Sequence, residues 1–241
     1  MTTFPSDIRA VFPAADFLHL AQFAITQMSR PYLHGVHIAP TTDGAHMVAT
    51  DGHRMGILRL SAAEGYCAPS PGHIILSHTN KAFMAALKDT RKYIHWVVIR
   101  TDTIEVRRTD EREGPAPSEV VDSGLVMQTF PAKALLVDGT FPEWRRVVPT
   151  LDGPTFGGRA DGDAAPTPDY PKGRPVFYAG VNPALFKGMT RGGEPSVSFD
   201  WGGAGAVMVA TDDPRFLGVV MPIRNGMSPN EIAARRAAVL G

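Results

Sequence analysis

Cysteine is almost absent from this chain: Cys67 stands alone among 241 residues. That excludes an intramolecular disulfide and a cysteine-built zinc site, and it suits a reducing, cytoplasmic setting. Net charge is missing too, because 24 Lys and Arg balance 24 Asp and Glu. The molecule as a whole therefore carries no electrostatic signature of a nucleic-acid binder, which leaves that role to a local basic surface. No apolar run approaches the roughly 20 residues that span a bilayer, so no membrane partner is expected. The opening Met-Thr-Thr-Phe-Pro-Ser-Asp lacks a basic stretch followed by an apolar one, so no signal peptide is expected. None of the eight histidines falls in a metal-binding HxxxH or HExxH pattern, and no Gly-rich phosphate loop or nucleophile elbow is present. Neither an enzyme nor a metal or other cofactor is expected. What remains is ordinary for a soluble globular protein: 44% apolar and 20% charged residues, in a length sufficient for one large or two medium domains.

Hydrophobic periodicity orders the chain. Phe17, Leu20, Ala21, Ala24 and Met28 recur at spacings of three and four, which predicts a helix over 14–28 that Pro31 would end. Residues 33–38 and 46–49 read as strands joined by Thr-Thr-Asp-Gly at 41–44, and 55–60 continues the sheet. A short strand at 73–76 leads to a second helix over 80–93, capped by Thr79 or Asn80 and striped with Phe83, Met84 and Leu87. Strands at 96–100 and 103–108, a polar loop at 110–119 and a strand at 125–130 follow.

Residues 150–175 hold five prolines, five glycines and four aspartates with almost nothing to bury, which reads as a linker or loop. Beyond it come strands at 176–179, 196–199, 206–210 and 216–222, with a short helix opened by Asn182-Pro183. Ser228-Pro229-Asn230-Glu231 opens a last helix running to Leu240. The order helix-then-strands is thus met three times: twice in a domain over 1–149 and once in a partial domain over 174–241, with 150–173 between them.

Four peptides carry more than periodicity. Arg30-Pro31-Tyr32-Leu33-His34-Gly35 precedes Ala49-Thr50-Asp51-Gly52-His53-Arg54-Met55 by one strand's length. Phe141-Pro142-Glu143-Trp144-Arg145-Arg146-Val147-Val148-Pro149 follows ninety residues on, and Val219-Val220-Met221-Pro222-Ile223-Arg224 stands near the end. In this order they resemble, in divergent and shortened form, the bacterial sliding clamp, the beta subunit of DNA polymerase III. That family carries "RYYLNG…ATDGHRL…FPDYRR" in its middle domain and "VVMPMR" in its last strand. The resemblance implies an α+β, DNA-clamp-like fold of curved antiparallel sheets with short helices on one face. It implies a replication processivity factor that holds double-stranded DNA and docks short linear peptides of polymerase or repair proteins. It also implies a clamp loader and a homo-oligomer among the partners.

The residues transfer by position. One wall of the peptide groove would be Leu33, Thr50, Gly52, His53, Arg54 and Met55. The other would be Pro149, Val219, Val220, Met221, Pro222, Ile223 and Arg224. Apolar walls anchor aliphatic or aromatic side chains of a peptide, and two methionines adapt to varied ligands. For DNA the candidates are Lys81, Lys88, Arg91 and Lys92 on the second helix, Lys187 and Arg191 on the third, and Arg30 and Tyr32. Contacts of this kind bind phosphates without reading bases. Arg145 and Arg146, beside Trp144, fit a stacking or salt-bridge role better.

Two other readings compete. Asp51 and His53, two apart, would share a face of a strand and could form a catalytic or metal-binding pair. The resemblance also covers the middle domain and only half of the last one. One and a half domains do not close a six-domain ring in any simple way, which favours a binding module that competes for or modulates host-clamp partners without encircling DNA. The helix at 228–240, beyond the family's usual end, would pack near the groove and modulate peptide access, make a protomer contact, or close the core.

Overall fold

A computed structural model describes residues 4–25, 30–70, 72–88, 93–109, 115–148, 156–157, 196–199, 207–210 and 213–221. The chain opens with strand β1 (Ile8–Pro13), then α1 (Ala14–Ala21), a single 3-10 turn at Pro31–Leu33, and the strands β2 (Gly35–Thr41), β3 (Gly44–Thr50), β4 (Arg54–Ser61) and β5 (Tyr66–Cys67). A second run follows with β6 (Ile74–Ser77), α2 (Lys81–Ala86), β7 (Ile94–Arg100), β8 (Thr103–Thr109), α3 (Pro117–Ser123) and β9 (Leu125–Pro131). The short strands β10 (Phe156–Gly157), β11 (Ser196–Phe199), β12 (Val207–Ala210) and β13 (Phe216–Val220) complete it.

These strands make two antiparallel sheets, one of order β5-β1-β7-β8-β9 and one of order β10-β11-β12-β13-β4-β3-β2-β6. The first two runs exchange their leading strands. β1 adds to β7 of the second run, and β6 adds to β2 of the first. Each run thus cannot complete its sheet alone, and the exchange locks them into one body. The main core lies between the sheets, where Phe12, Phe17, Phe23, Leu58, Leu60, Leu76, Phe83 and Phe130 pack with both leading helices. Two smaller clusters cover the outer faces. One sets Val120 and Val121 of α3 on Ile8, Val11, Trp96 and Val98, and the other lies over the longer sheet around Leu33, Met55 and Val219.

The expected strands at 33–38, 46–49, 55–60, 73–76, 103–108, 125–130 and 196–199 are present within a few residues. The helices are shorter than their periodicity suggested. α1 ends at Ala21, because the chain turns at 22–24 and the Ile25 amide bonds the Leu33 carbonyl instead of continuing the helix. α2 ends at Ala86, and β7 begins at Ile94 rather than at 96. β1 was not expected at all. α3 takes up the end of the expected loop over 110–119: Pro117 pre-sets its first turn, and the Glu119 carboxylate accepts from the Ala116 amide at 3.0 Å. Within the expected linker, Phe156–Gly157 pairs with Phe199 and Ser198, so that stretch contributes a strand. The expected strand at 176–179 and the helices at 182 and 228–240 lie outside the described residues.

Asn80, not Thr79, caps α2 by accepting from the Phe83 amide at 3.0 Å. Asn80→Ala is expected to lower stability by about 1 kcal/mol in chemical denaturation, the usual cost of losing such a cap.

Gly56 is required by a close approach. A Cβ there would stand 2.8 Å from the Phe23 ring and 2.9 Å from Leu20 Cδ2. Gly218 lies opposite Gly56 across the β4–β13 pair. The core-facing surface of that pair is left low at Gly56, and α1 with its trailing Phe23 seats against it.

Candidate functional site

The Thr50–Arg54 turn is built by its own side chains. Asp51 Oδ1 accepts from the amides of His53 and Arg54, each at 2.9 Å, while Oδ2 meets Arg54 Nε at 3.1 Å. Thr50 Oγ1 donates to the Arg54 carbonyl at 2.7 Å and accepts from the Gly52 amide at 3.0 Å. Gly52 holds φ at +88°, a left-handed conformation that favours glycine. Arg54 then reaches the Gln22 carbonyl at 2.6 Å and lies over the Phe23 ring, tying the turn to the end of α1. Asp51 is therefore a turn-forming residue whose contacts run to backbone amides and Arg54. That structural employment removes the motive for pairing it with the His53 ring as a catalytic dyad.

The second wall arrives by strand pairing. β13 lies antiparallel to β4 with Val219 opposite Met55 and Val220 opposite Arg54. The Met221 amide continues the ladder by donating to the His53 carbonyl at 2.8 Å. Two motifs about 160 residues apart in sequence thus become adjacent backbone. On the outer face, Leu33, Met55 and Val219 join Val48, Ile57, Ile75, Phe141 and Trp144 in one apolar cluster, with Tyr32, Ile25, Val137, Val148, Leu217 and Met221 partly buried against it. Leu33, Met55 and Val219 form its floor, each 3% exposed or less. Gly52 and His53 stand exposed at the rim, and Thr50, Arg54 and Met221 are half-buried.

Two of the residues expected in the groove face away from it, Val220 and the Arg54 opposite it, whose guanidinium lies over the Phe23 ring. Val220 faces the opposite side of the sheet and is fully buried in the main core, because side chains alternate along a strand and Val219 already takes the groove face. Pro149, Pro222, Ile223 and Arg224 lie outside the described residues.

The segment after the second run supplies the cover. Phe141 stacks on His37 with ring centroids 4.7 Å apart, and His37 stacks in turn on His73 at 5.2 Å. His37 Nε2 and His73 Nδ1 are 3.1 Å apart in a shared hydrogen bond. Trp144 sets its ring edge-on to His46, and Arg145 lies over the Trp144 ring at 4.4 Å, which bears out stacking for Arg145. Burial, with the positive charge of Arg145 and the neighbouring His73 ring, pushes His37 down to about 4. Burial beside Arg145 and Arg59 lowers His46 as well. These histidines escaped the sequence reading. Their signal was the period-two placement of His37 and His46 on strands whose neighbouring Val48 and Ile75 are apolar.

The DNA candidates separate into groups. Lys81 and Lys88 are exposed, Lys81 opening α2 and Lys88 just beyond its end. Arg30 instead belongs to the Thr50–Arg54 turn, since a Cβ on Gly52 would stand 3.6 Å from its guanidinium. Tyr32 packs in the groove cluster. Arg91, Lys92, Lys187 and Arg191 lie outside the described residues. Among the described residues no group of three His, Cys, Asp or Glu is placed to hold a metal, and no helix is long and apolar enough to cross a membrane.

Compared with solved structures, the chain superposes on the DNA polymerase III beta subunit of Thermotoga maritima with a TM-score of 0.60, at 16% identity, over 94% of this chain and 68% of that one. The beta subunit of Pseudomonas aeruginosa superposes with a TM-score of 0.57, at 19% identity, over 93% and 69%. The fold is the sliding-clamp fold. In sequence the chain is 31% identical to the beta sliding clamp of Caulobacter vibrioides over 155 residues, which take up 58% of this chain and 35% of that protein. The chain thus spans about a third of the length of the curated clamps it matches. No protein-family model matches it. The chain is thus similar to the bacterial beta sliding clamp in fold and, over those 155 residues, in sequence.

Proposed function

We propose that this chain acts as a sliding-clamp-like processivity factor. It holds duplex DNA without regard to sequence and docks short linear peptides of a polymerase or repair protein in the groove over β4 and β13. The observation that carries this reading is the convergence of the two motif walls: Met55 lies opposite Val219, and the Met221 amide bonds the His53 carbonyl. A docked peptide would set its aliphatic or aromatic residues on the floor of Leu33, Met55 and Val219. The backbone of the Thr50–Gly52 turn and the exposed His53 would fix its register. The mixture of apolar floor and few polar groups is that of a peptide pocket. The role is non-catalytic binding, consistent with an Asp51 engaged in shaping its own turn.

Two measurements test this. A fluorescein-labelled peptide carrying the clamp-binding segment of a replicative polymerase should bind the full chain in fluorescence anisotropy. Met221→Glu should weaken it by at least about tenfold while leaving the fold intact, since it sets a charge against an apolar contact. On the DNA side, duplex affinity should fall linearly with salt on a log–log plot. Lys81→Glu with Lys88→Glu should reduce that slope by about 2, one for each phosphate left without its lysine. Retention on circular but not linear duplex would establish encirclement. Peptide binding without salt-dependent DNA binding would support the non-encircling binding module instead, and failure of both would sink the clamp reading.

A further inference from the structure

The apolar floor of the groove leads into a pair of cations. Along β4 the outward residues run Met55, Ile57 and Arg59, because every second side chain of a strand shares a face. Val219 stands opposite Met55 and Leu217 opposite Ile57, and all four pack in the groove cluster. Arg59 is paired with His46 of β3, the histidine that meets the Trp144 ring. Arg145 lies over that same Trp144 ring at 4.4 Å and stands 3.5 Å from His46 Nδ1. An apolar track thus ends at two guanidiniums that flank one imidazole. Both have room for another partner. Arg59 makes one contact with Asp43, Nη2 to Oδ2 at 2.7 Å, and the Glu143 carboxylate lies 4.0 Å from Arg145, beyond hydrogen-bond range. The two arginine side chains are 60% and 56% exposed. A guanidinium carries five N–H donors, so most of these are without a protein acceptor among the described residues. Burial, then Arg145 and Arg59, lower the pKa of His46 against the opposing pull of Asp43, so positive charge dominates there.

We propose that Arg59 and Arg145 form a charged extension of the groove that takes an Asp or Glu of the docked peptide, about four residues from the apolar residue seated on Met55 and Val219. The inference rests on the peptide-docking reading of the groove. The spacing follows from strand geometry. Met55 and Arg59 are four residues apart on one strand, about 13 Å, and an extended peptide needs about four residues to cover that distance. The chemistry follows from the planar guanidinium, whose paired N–H groups match a carboxylate. Stacking on Trp144 already restricts Arg145, so less side-chain freedom is lost when the carboxylate binds. Continuity with the apolar track favours a peptide over a nucleic acid. A DNA backbone presents phosphates in a row and has no use for Ile57 and Leu217, whereas a peptide engages the track and the cations together.

Three fluorescein-labelled peptides test this by anisotropy with the full chain. One is the clamp-binding segment of a replicative polymerase. The second carries a pair of glutamates about four residues before its apolar anchor, and the third carries them about four residues after. One of the two acidic peptides should bind about fivefold more tightly than the plain one at low salt, and the gain should shrink at high salt. Arg59→Gln and Arg145→Gln should each reduce that affinity ratio, and the double variant should bring it to about one. Arg145→Glu should turn the preference toward a peptide with lysines in the same place, which a misfolded variant would not do. Equal binding of all three peptides overturns the charged extension and leaves the groove reading standing. Binding of none overturns both. A gain that a short duplex removes without touching plain-peptide affinity assigns the two cations to phosphate and overturns the peptide assignment.

Discussion

Replacing Arg215 with methionine is expected to lower the stability of the chain by about 2–3 kcal/mol, seen as a lower urea midpoint with an unchanged slope. Arg215 stands in the turn that leads into β13. Its guanidinium grips Asp213 at 3.0 Å, reaches Glu64 Oε1 at 3.0 Å and faces Asp16 Oδ2 at 3.7 Å. Its carbonyl accepts from the Arg59 amide at 2.9 Å. One side chain thus connects the last strand to the start of α1 and to the turn after β4. Bonding to Asp213, with Asp16 and Glu64 adding their charge, raises the Arg215 pKa further, so the cation is held charged at every working pH.

Part of the cost of removal comes from Asp16, whose side chain is 3% exposed and loses the guanidinium 3.7 Å from its Oδ2. Burying an uncompensated charge is expensive, whereas removing both charges is much less so. Asp16→Asn in the Arg215→Met background should therefore recover part of the loss. A single-variant loss under about 0.5 kcal/mol, the range of an ordinary surface change, would show that β13 is held by its ladder and apolar contacts alone.

Acid is expected to unfold the chain in a window set by His37. Its folded pKa of about 4 lies below its ordinary value of 6.5. Between those values the unfolded chain takes up a proton that the folded chain refuses. The stabilising contribution is complete above about pH 6.5 and is lost as pH falls toward 4, by up to roughly 3 kcal/mol. His46 and His78 are shifted down as well, each chiefly by burial, so they add loss in the same direction. The structural consequence centres on the cover, because a protonated His37 would set a charge under Phe141 and beside Arg145. His37→Phe keeps the stack and removes the proton. Urea midpoints at pH 7.5 and 4.5 should then differ clearly less for that variant than for the parent chain. Equal acid losses in the two proteins would assign the effect to other groups.

Much of the site was legible because its chemistry is local. Thr50, Asp51 and Gly52 build their turn from side chains within four residues, and a peptide carrying them announces that turn wherever it occurs. Asp43-Gly44 marked the β2–β3 hairpin for the same reason: Gly44 takes φ of +148°, and a Cβ there would stand 2.1 Å from the Leu60 carbonyl. The helices were overextended because apolar spacing continues past their true ends. Phe23 and Ala24 are buried, but in a turn that brings Ile25 back to Leu33. The short helix α3 was hidden inside a polar stretch whose only signals were Pro117 and Glu119.

What the residues determined by themselves were the turns, most of the strands and the identity of the motif peptides, since these depend on interactions a few residues apart. Tertiary structure alone decided which strands became neighbours. β13 lies on β4, β1 and β6 are exchanged between runs, and Val219 rather than Val220 meets the groove. A strand pattern names two faces without saying which partner will bury each. Only packing against Leu20 and Phe23 on one side and against Phe141 and Trp144 on the other makes that choice.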